Sequence, residues 1–574
     1  MKHKVFIALL FGCSVAPIIH LIWLIHCYGV DSPYWDEWET GKLILAVKSG
    51  AATFHDFFKQ QNEHRQFFPN ILFAVLAELS HWNEKWEMYF SVFLDVLSSL
   101  ALFRLLRMTT RLPIYAALGI SFVFNLILFN PLHCDAWLTG IALSDFVLDF
   151  CLAMSLLTLY LPISLQKKIL ICIMLSTIST FSFANGMNVW IVLSFALSIL
   201  FWPELNKNRW LPAIWIGSFA LNVWLYLHDY VKPPWHPPLS TVLHAKRQAI
   251  EFYCALFGSP FGFAFHENAL TVSAVCGAGI LGLFLLCCAW LARDAWRSRN
   301  FERIKCAAGW IALGQYALIS GVMLTVGRLG FGVEQALTTR YMRFTLQLSL
   351  ALLALLAIVA WNVKPRRTAT CKWIVAGMAI LLGAFSLYAI PAGIDEMACF
   401  RFYRKRGKAY LQFINTVPRT DVLSKIVFPI PEVLKTSANA LDEIGYINPR
   451  LIRSVNVSEL TDEKVQDTGS FDAPKLLEGK LALSGLAMLP YRHEPADLVL
   501  ICCEQENGTR EIIALVDVGT ELRGTSDKRA DFGSPGTWRC ELSPGAIRGT
   551  RKLSAWAFDV FSQKAFKLAG EYKL

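Results

Sequence analysis

"VFIALLFGCSVAPIIHLIWLIHCYGVDSPYWDEWETGKLI", residues 5–44, decides the fold class before any motif is weighed. Its first part is a long apolar run, and its second part sets Asp31, Asp36, Glu37 and Glu39 among Tyr34, Trp35 and Trp38. The run over residues 4–27 is long enough to cross a bilayer core of about 30 Å. It is longer than the apolar core of a signal peptide and is not followed by a small-residue cleavage site, so it reads as a retained membrane helix. Basic residues favour the cytoplasmic side, which puts "MKHK" inside and the acidic, aromatic stretch outside.

Further apolar runs of spanning length follow at 86–104, 113–129, 141–161, 169–183, 189–201, 211–227, 271–291, 306–326, 344–361 and 373–390. Counted through, they make about eleven crossings. The basic loops around Arg104, Lys167, Lys207, Arg297 and "KPRR" (364–367) then fall on one side, as membrane orientation requires. "RFYRKRGK" (401–408) breaks the scheme, because it follows the last run on the side counted as external. Either it lies on anionic headgroups there, or one span is miscounted. Segments 41–50, 67–82 and 242–258 are too short or too amphipathic to cross, and they read as interfacial helices.

The whole composition agrees with this pattern. Of 574 residues, 55% are hydrophobic and only 17% charged, too apolar for one soluble core. The net charge of +10 follows from lysines and arginines in short loops, so it gives no case for nucleic acid. Most of the 15 cysteines lie within apolar runs, where cysteine behaves as a small hydrophobe. No P-loop or HExxH occurs. Past residue 402 charged residues become frequent, and short apolar runs such as "ADLVLICCE", "EIIALVDVG" and "RKLSAWAFDVF" have strand length. The expected fold is thus an α-helical polytopic membrane protein with interfacial helices in its first external loop and a small, soluble, C-terminal β-sandwich-like domain. Its parts are a membrane domain over 1–391, a mixed linker over 392–480 and the β domain over 481–574.

Chemistry is expected in the external loops. Asp36 and Glu37 are adjacent, so in a helix they diverge by about 100° and one at most faces a given substrate atom. A carboxylate partly desolvated by Trp35 and Trp38 suits a general base, while the same residues also suit an interfacial anchor. "NEHR" supplies Glu63, His64 and Arg65 within the same loop. "GRLGFGVEQALTTRYMRF" (327–344) adds Arg328, Arg340, Tyr341 and Arg343, where a guanidinium could grip phosphate with two parallel hydrogen bonds. Arg343 could equally snorkel, and Arg328 or Arg340 could pair with Glu334. Asp95, Asp145 and Asp149 lie inside spans, where they line a groove or proton path or else pair with a neighbouring cation.

"YWDEW", "NEHR" before an apolar segment, and "GRLGFG…TTRY", on many spans with a terminal β domain, resemble the bacterial membrane glycosyltransferases of the GT-C superfamily. The resemblance covers residues 1–391. It implies a base at Asp36, with Glu37 as substitute, and Arg65 and Arg340 on the phosphate of a polyprenyl-phosphate sugar donor. Glu63, His64, Arg328 and Tyr341 complete the expected substrate-binding set. It further implies inverting transfer to a glycan or lipid-linked acceptor, in cell-envelope polysaccharide synthesis at the bacterial inner membrane. The terminal domain is then external. A divalent metal is possible but no ligand set for one is evident. A transporter or flippase of lipid-linked sugars is the alternative, and a non-catalytic scaffold a third.

Accessibility mapping with single cysteines in intact and opened cells should place positions 35, 234 and 338 on one face and 167 and 297 on the other. A cytoplasmic position 35 would refute the orientation.

Overall fold

The computed structural model describes residues 2–234, 237–238, 240–361, 368–461, 468–506, 508–519, 534–543, 545 and 552–573. The "KPRR" loop lies outside them. The chain divides into two compact units, each drawn from separate stretches of sequence. The first comprises Met1–Gly29, Thr53–Phe73 and Lys85–Met397, and the second Val30–Ala52, Ala74–Glu84 and Ala398–Leu574.

The first unit is helical. Among the described residues, ten helical segments of the chain are long and apolar enough to cross a membrane. That is compatible with a multi-pass membrane protein. Ten of the eleven expected spans correspond to these segments; the run at 169–183 instead forms the helix Leu165–Thr180, which at 16 residues is shorter than a crossing requires. The segment expected to lie at the interface, 242–258, forms most of the helix Lys246–Gly262. It packs backbone to backbone on Ala269–Ser298. A side chain at Gly258 would stand 1.9 Å from the Ser273 carbonyl oxygen, and one at Gly277 1.8 Å from that of Cys254. Only glycine permits so close an approach.

Polar side chains tie the helices of this unit together. Asn125 donates to the Ser14 carbonyl at 2.7 Å and accepts from Ser99 at 2.6 Å, joining Lys2–Tyr28, Ile114–Leu128 and Glu84–Thr109. Arg343, fully buried, does more. Its guanidinium meets both oxygens of Asp95 at 3.0 and 3.1 Å, Asp149 at 2.7 Å and the Leu128 carbonyl at 3.2 Å. The rings of Phe146 and Trp137 cover it at 4.3 and 5.2 Å. Arg343 therefore does not snorkel, and Asp95 and Asp149 have the pairing reading rather than the groove reading.

The second unit holds a sheet and a helical layer. Eight strands, β1 (Gly469–Phe471), β2 (Lys475–Leu477), β3 (Lys480–Ala487), β4 (Leu498–Glu504), β5 (Arg510–Val516), β6 (Thr537–Leu542), β7 (Lys552–Asp559) and β8 (Lys564–Lys573), run in the order β2-β3-β1-β8-β7-β4-β5, with β6 on β3. The halves are joined by a parallel bridge, Ser470 to Ala569, and an antiparallel one, Val518 to Trp538. They share a core of Phe471, Leu483 and Trp538 from one half and Val499, Ile501, Ala555 and Phe566 from the other, so the expected β domain is present as a strand-rich one. The outer face of the second half is buried as well. Leu498, Leu500, Cys502, Trp556 and Phe558 pack under helices Thr420–Ile426 and Pro431–Glu443 and the end of the helix Thr368–Gln412. Burial on both faces is why "LVLICC" is continuously apolar. Cys502 and Cys503 point to opposite faces, as neighbours in a strand must.

The acidic stretch of the first loop belongs to this core. Its helix, Glu37–Lys48, begins with Glu37 and Glu39 and ends with Lys48, charges that suit the helix dipole. Trp38 meets the Trp82 ring edge to face at 6.5 Å, and Gly41 lies against Trp82 and Leu441. Residues 41–48, expected at the interface, thus form the latter part of a helix with one face packed on this core.

Replacing Arg343 by Met strands Asp95 and Asp149 in the apolar interior and should cost roughly 3–5 kcal/mol, read by detergent titration of the purified protein. Adding Asp95→Asn and Asp149→Asn should recover most of it. A single variant as stable as the wild type would remove the pairing from the fold's support.

Candidate functional site

Of the residues expected to act, Asp36 and Glu37 belong to the second unit, and Glu63, His64, Arg65, Arg328, Arg340 and Tyr341 to the first. Each group has its own geometry.

In the first unit, residues far apart in sequence converge on the loop that ends the helix Glu302–Arg328. Three short turns follow, Leu329–Phe331, Val333–Leu337 and Thr339–Tyr341. Gly332 joins the first two at φ +115, a backbone open to glycine alone. Arg328, at the helix C-terminus where the dipole favours a cation, donates to Glu63 at 2.5 Å. Glu334 is therefore not its partner. The Arg328 guanidinium lies 6.0 Å from the centre of the Tyr341 ring, and that of Arg340 5.1 Å from the same ring. Arg340 also donates to the Tyr341 hydroxyl at 3.3 Å, and its side chain is exposed. Among the described residues no carboxylate stands within ion-pair distance of Arg340, although Asp135 and Asp145 act on it at longer range. Tyr230 flanks the site, and its phenol is pushed above the ordinary range by burial and then by the Glu63 carboxylate.

His64 is held from three sides. Its backbone pairs with Gln61, and its ring stacks on Phe183 at 3.8 Å. Its Nδ1 accepts the Ala184 N–H at 3.1 Å, so the neutral ring carries its proton on Nε2, which lies 3.8 Å from Glu63. "SFANGMN" (182–188) holds a tight turn, Ala184–Gly186, which is the seat of His64. Phe183 continues the stack onto Phe344 at 5.2 Å.

Arg65 does not join the cluster through its charge. The guanidinium is buried and donates to the carbonyls of Tyr226, Phe58 and His228, with Nε to Tyr226 at 2.8 Å. Saturated by backbone oxygens, it fastens the loop instead of gripping a phosphate.

In the second unit the two adjacent carboxylates part. Asp36 is the N-cap residue of the helix Glu37–Lys48 and is exposed. Glu37 is 2% exposed, accepts the Tyr34 N–H at 2.6 Å and lies 3.5 Å from Arg404. Arg404 also pairs with Glu84 at 2.7 Å, donates to the Ser32 carbonyl and lies over the Tyr34 ring at 5.0 Å. Glu37 is thereby a fold residue and a poor substitute base.

The basic stretch 401–408 has a third explanation, beyond headgroups or a miscounted span: its cations are used inside this unit. Lys405 pairs with Asp497 at 2.6 Å, Arg406 with Asp517, and Lys408 donates to the carbonyls of Asp31 and Asn448 at 2.5 and 2.6 Å. Burial pushes the Asp497 carboxyl above its ordinary range, with Lys405 opposing.

Sequence reasoning did not single out Asp135, Phe183 or Arg404 for the parts they take. A polar residue at the end of an apolar run was the available signal for Asp135 alone. Among the described residues no three His, Cys, Asp or Glu side chains are grouped to hold a metal ion. No family model, curated protein or solved structure matches this chain.

The contrast between the paired carboxylates is measurable by thermal unfolding of the purified protein. Glu37→Gln weakens the contacts to Arg404 and Tyr34 and should cost roughly 1–3 kcal/mol. Asp36→Asn, at the surface, should stay within about 0.5 kcal/mol of the wild type. Equal losses in both would contradict the division of roles.

Proposed function

We propose that this protein is a membrane glycosyltransferase that takes a sugar from a polyprenyl-phosphate donor. The observation that supports this best is the Arg340 cluster: an exposed guanidinium, ordered on a tyrosine face, beside a second arginine already paired to Glu63. A guanidinium so held is already partly ordered, so it loses little freedom on binding a phosphate. Arg328 and Glu63 order the ring and limit the net positive charge. Such a site retains a lipid phosphate without holding the product permanently.

The reaction assigned to it is direct displacement. An acceptor hydroxyl gives up its proton to a carboxylate base, for which the first-loop motif suggests Asp36, and attacks the anomeric carbon as the phosphate departs from the opposite face with inversion. Positive charge at Arg340 stabilises the negative charge growing on the leaving phosphate. The acceptor is a glycan or a lipid-linked saccharide on the external face of the bacterial inner membrane. Transport of lipid-linked sugars would use the same phosphate contact without making a glycosidic bond. Two of the three buried acids do not favour it, because Asp95 and Asp149 are occupied by Arg343.

The assay is purified protein with a labelled polyprenyl-phosphate sugar mixture and candidate lipid-linked acceptors, scored for free polyprenyl phosphate and new glycosidic product. Asp36→Asn should lower turnover by roughly 10² to 10⁴ with unchanged protein level. Arg340→Lys keeps the charge but loses bidentate geometry, so donor binding and turnover should fall together. A wild type that moves the lipid between leaflets and never releases polyprenyl phosphate would replace transfer by transport.

A further inference from the structure

Eight tryptophans stand out as exposed among the described residues, and seven of them (23, 86, 202, 210, 224, 296 and 373) lie on segments long and apolar enough to cross a membrane. Lipid tails or headgroups account for those seven. Trp35 is the eighth. It lies outside every such segment, is 39% exposed and has φ +49, a left-handed backbone that a bulky residue adopts only under constraint. The constraints are visible: its N–H donates to the Val427 carbonyl at 2.8 Å, and the Tyr34 ring meets its edge at 6.2 Å. Tyr34 is itself fixed, by Glu37 through its N–H, by the Phe400 ring at 5.8 Å and by Arg404. The fold thus maintains an unfavourable backbone at a position where a glycine or asparagine would be relaxed, and the outcome is an indole turned to solvent beside the exposed Asp36 carboxylate.

We propose that Trp35 is a sugar-stacking platform, which receives the apolar face of a pyranose ring while Asp36 accepts hydrogen bonds from that ring's hydroxyls. A pyranose presents axial C–H groups on one face and hydroxyls around its rim. A flat, electron-rich ring next to a carboxylate complements both. The occupant is the acceptor saccharide, whose attacking hydroxyl must come to the base. The inference rests on the transferase reading for that last step alone; sugar binding by Trp35 does not depend on it.

The test is saturation-transfer NMR on full-length protein in nanodiscs, with gluco-, manno- and galacto-configured disaccharides as probes, alongside acceptor kinetics. Wild type should transfer saturation to the axial C–H protons of at least one disaccharide. Trp35→Ala should lose that signal and raise the acceptor KM by roughly three- to tenfold with kcat little changed, and Trp35→Phe should retain part of both. Trp35→Gly guards against a folding artefact. It relaxes the φ +49 backbone, so its melting temperature should equal or exceed that of Trp35→Ala while binding is lost equally. Undiminished saturation transfer in Trp35→Ala, or none in the wild type with any of the three, overturns the platform. An unchanged acceptor KM in Trp35→Ala removes it while leaving the transferase standing. A wild type that binds disaccharide through Trp35 but forms no glycosidic bond removes the transferase and leaves the platform.

Discussion

A guanidinium withdrawn from water needs carboxylates and carbonyls around it, and in each compact unit one buried arginine draws such groups together from distant stretches of chain. Arg343 gathers Asp95, Asp149 and the Leu128 carbonyl, so three helices are fixed against the short turn that carries it. Arg404 gathers Glu37, Glu84 and the Ser32 carbonyl and thereby places the acidic first loop. Neither group gains much from burial in net terms, because the desolvation of three charges offsets most of their attraction. What burial supplies is a penalty for losing a partner, since a carboxylate or guanidinium left alone there is costly. The exposed features, Trp35 and Asp36 in one unit and Arg340 in the other, are presented by elements so fixed.

The same two arginines show what was legible in the sequence. Charge inside an apolar run is conspicuous, so Asp95, Asp149 and Arg343 could be singled out, and partnership between them is the cheapest way to keep them there. The loop 327–344 was legible as a site because glycines, arginines and a tyrosine are crowded together at the end of an apolar helix, and the structure does bring Arg328 to Glu63 and both Arg328 and Arg340 to the Tyr341 ring. Helices long and apolar enough to cross a membrane were legible from length and hydropathy alone, with the short helix Leu165–Thr180 as the exception.

Arg404 was not legible, and the reason is distance along the chain. Its acceptors lie 320 residues away at Glu84 and 367 at Glu37, and no local pattern connects them. Read locally, "RFYRKRGK" is a string of cations next to an apolar helix, which charge-based orientation takes as a marker of one membrane face. That rule presumes cations free to meet water or lipid. Once four of its five cations are consumed by Glu84, Asp497, Asp517 or a carbonyl of their own unit, the string loses its meaning as a signpost. Arg65 misleads in the opposite sense: the residue type suits phosphate, but three backbone oxygens reach it first.

The second unit closes on itself from both ends of the chain. Its inner layer pairs Trp38, Ile44 and Trp82 with Leu498, Trp556, Phe558 and Val560 in a single core. A ribosome adding some 5–20 residues each second needs roughly half a minute to two minutes to pass from the first of these to the last. For that interval the acidic segment has left the ribosome while the rest of its core, from Tyr410 and Leu441 to Phe558 and Val560, is still to be made. Trp38 and Trp82 are then without those neighbours and open to any chaperone or protease able to reach them.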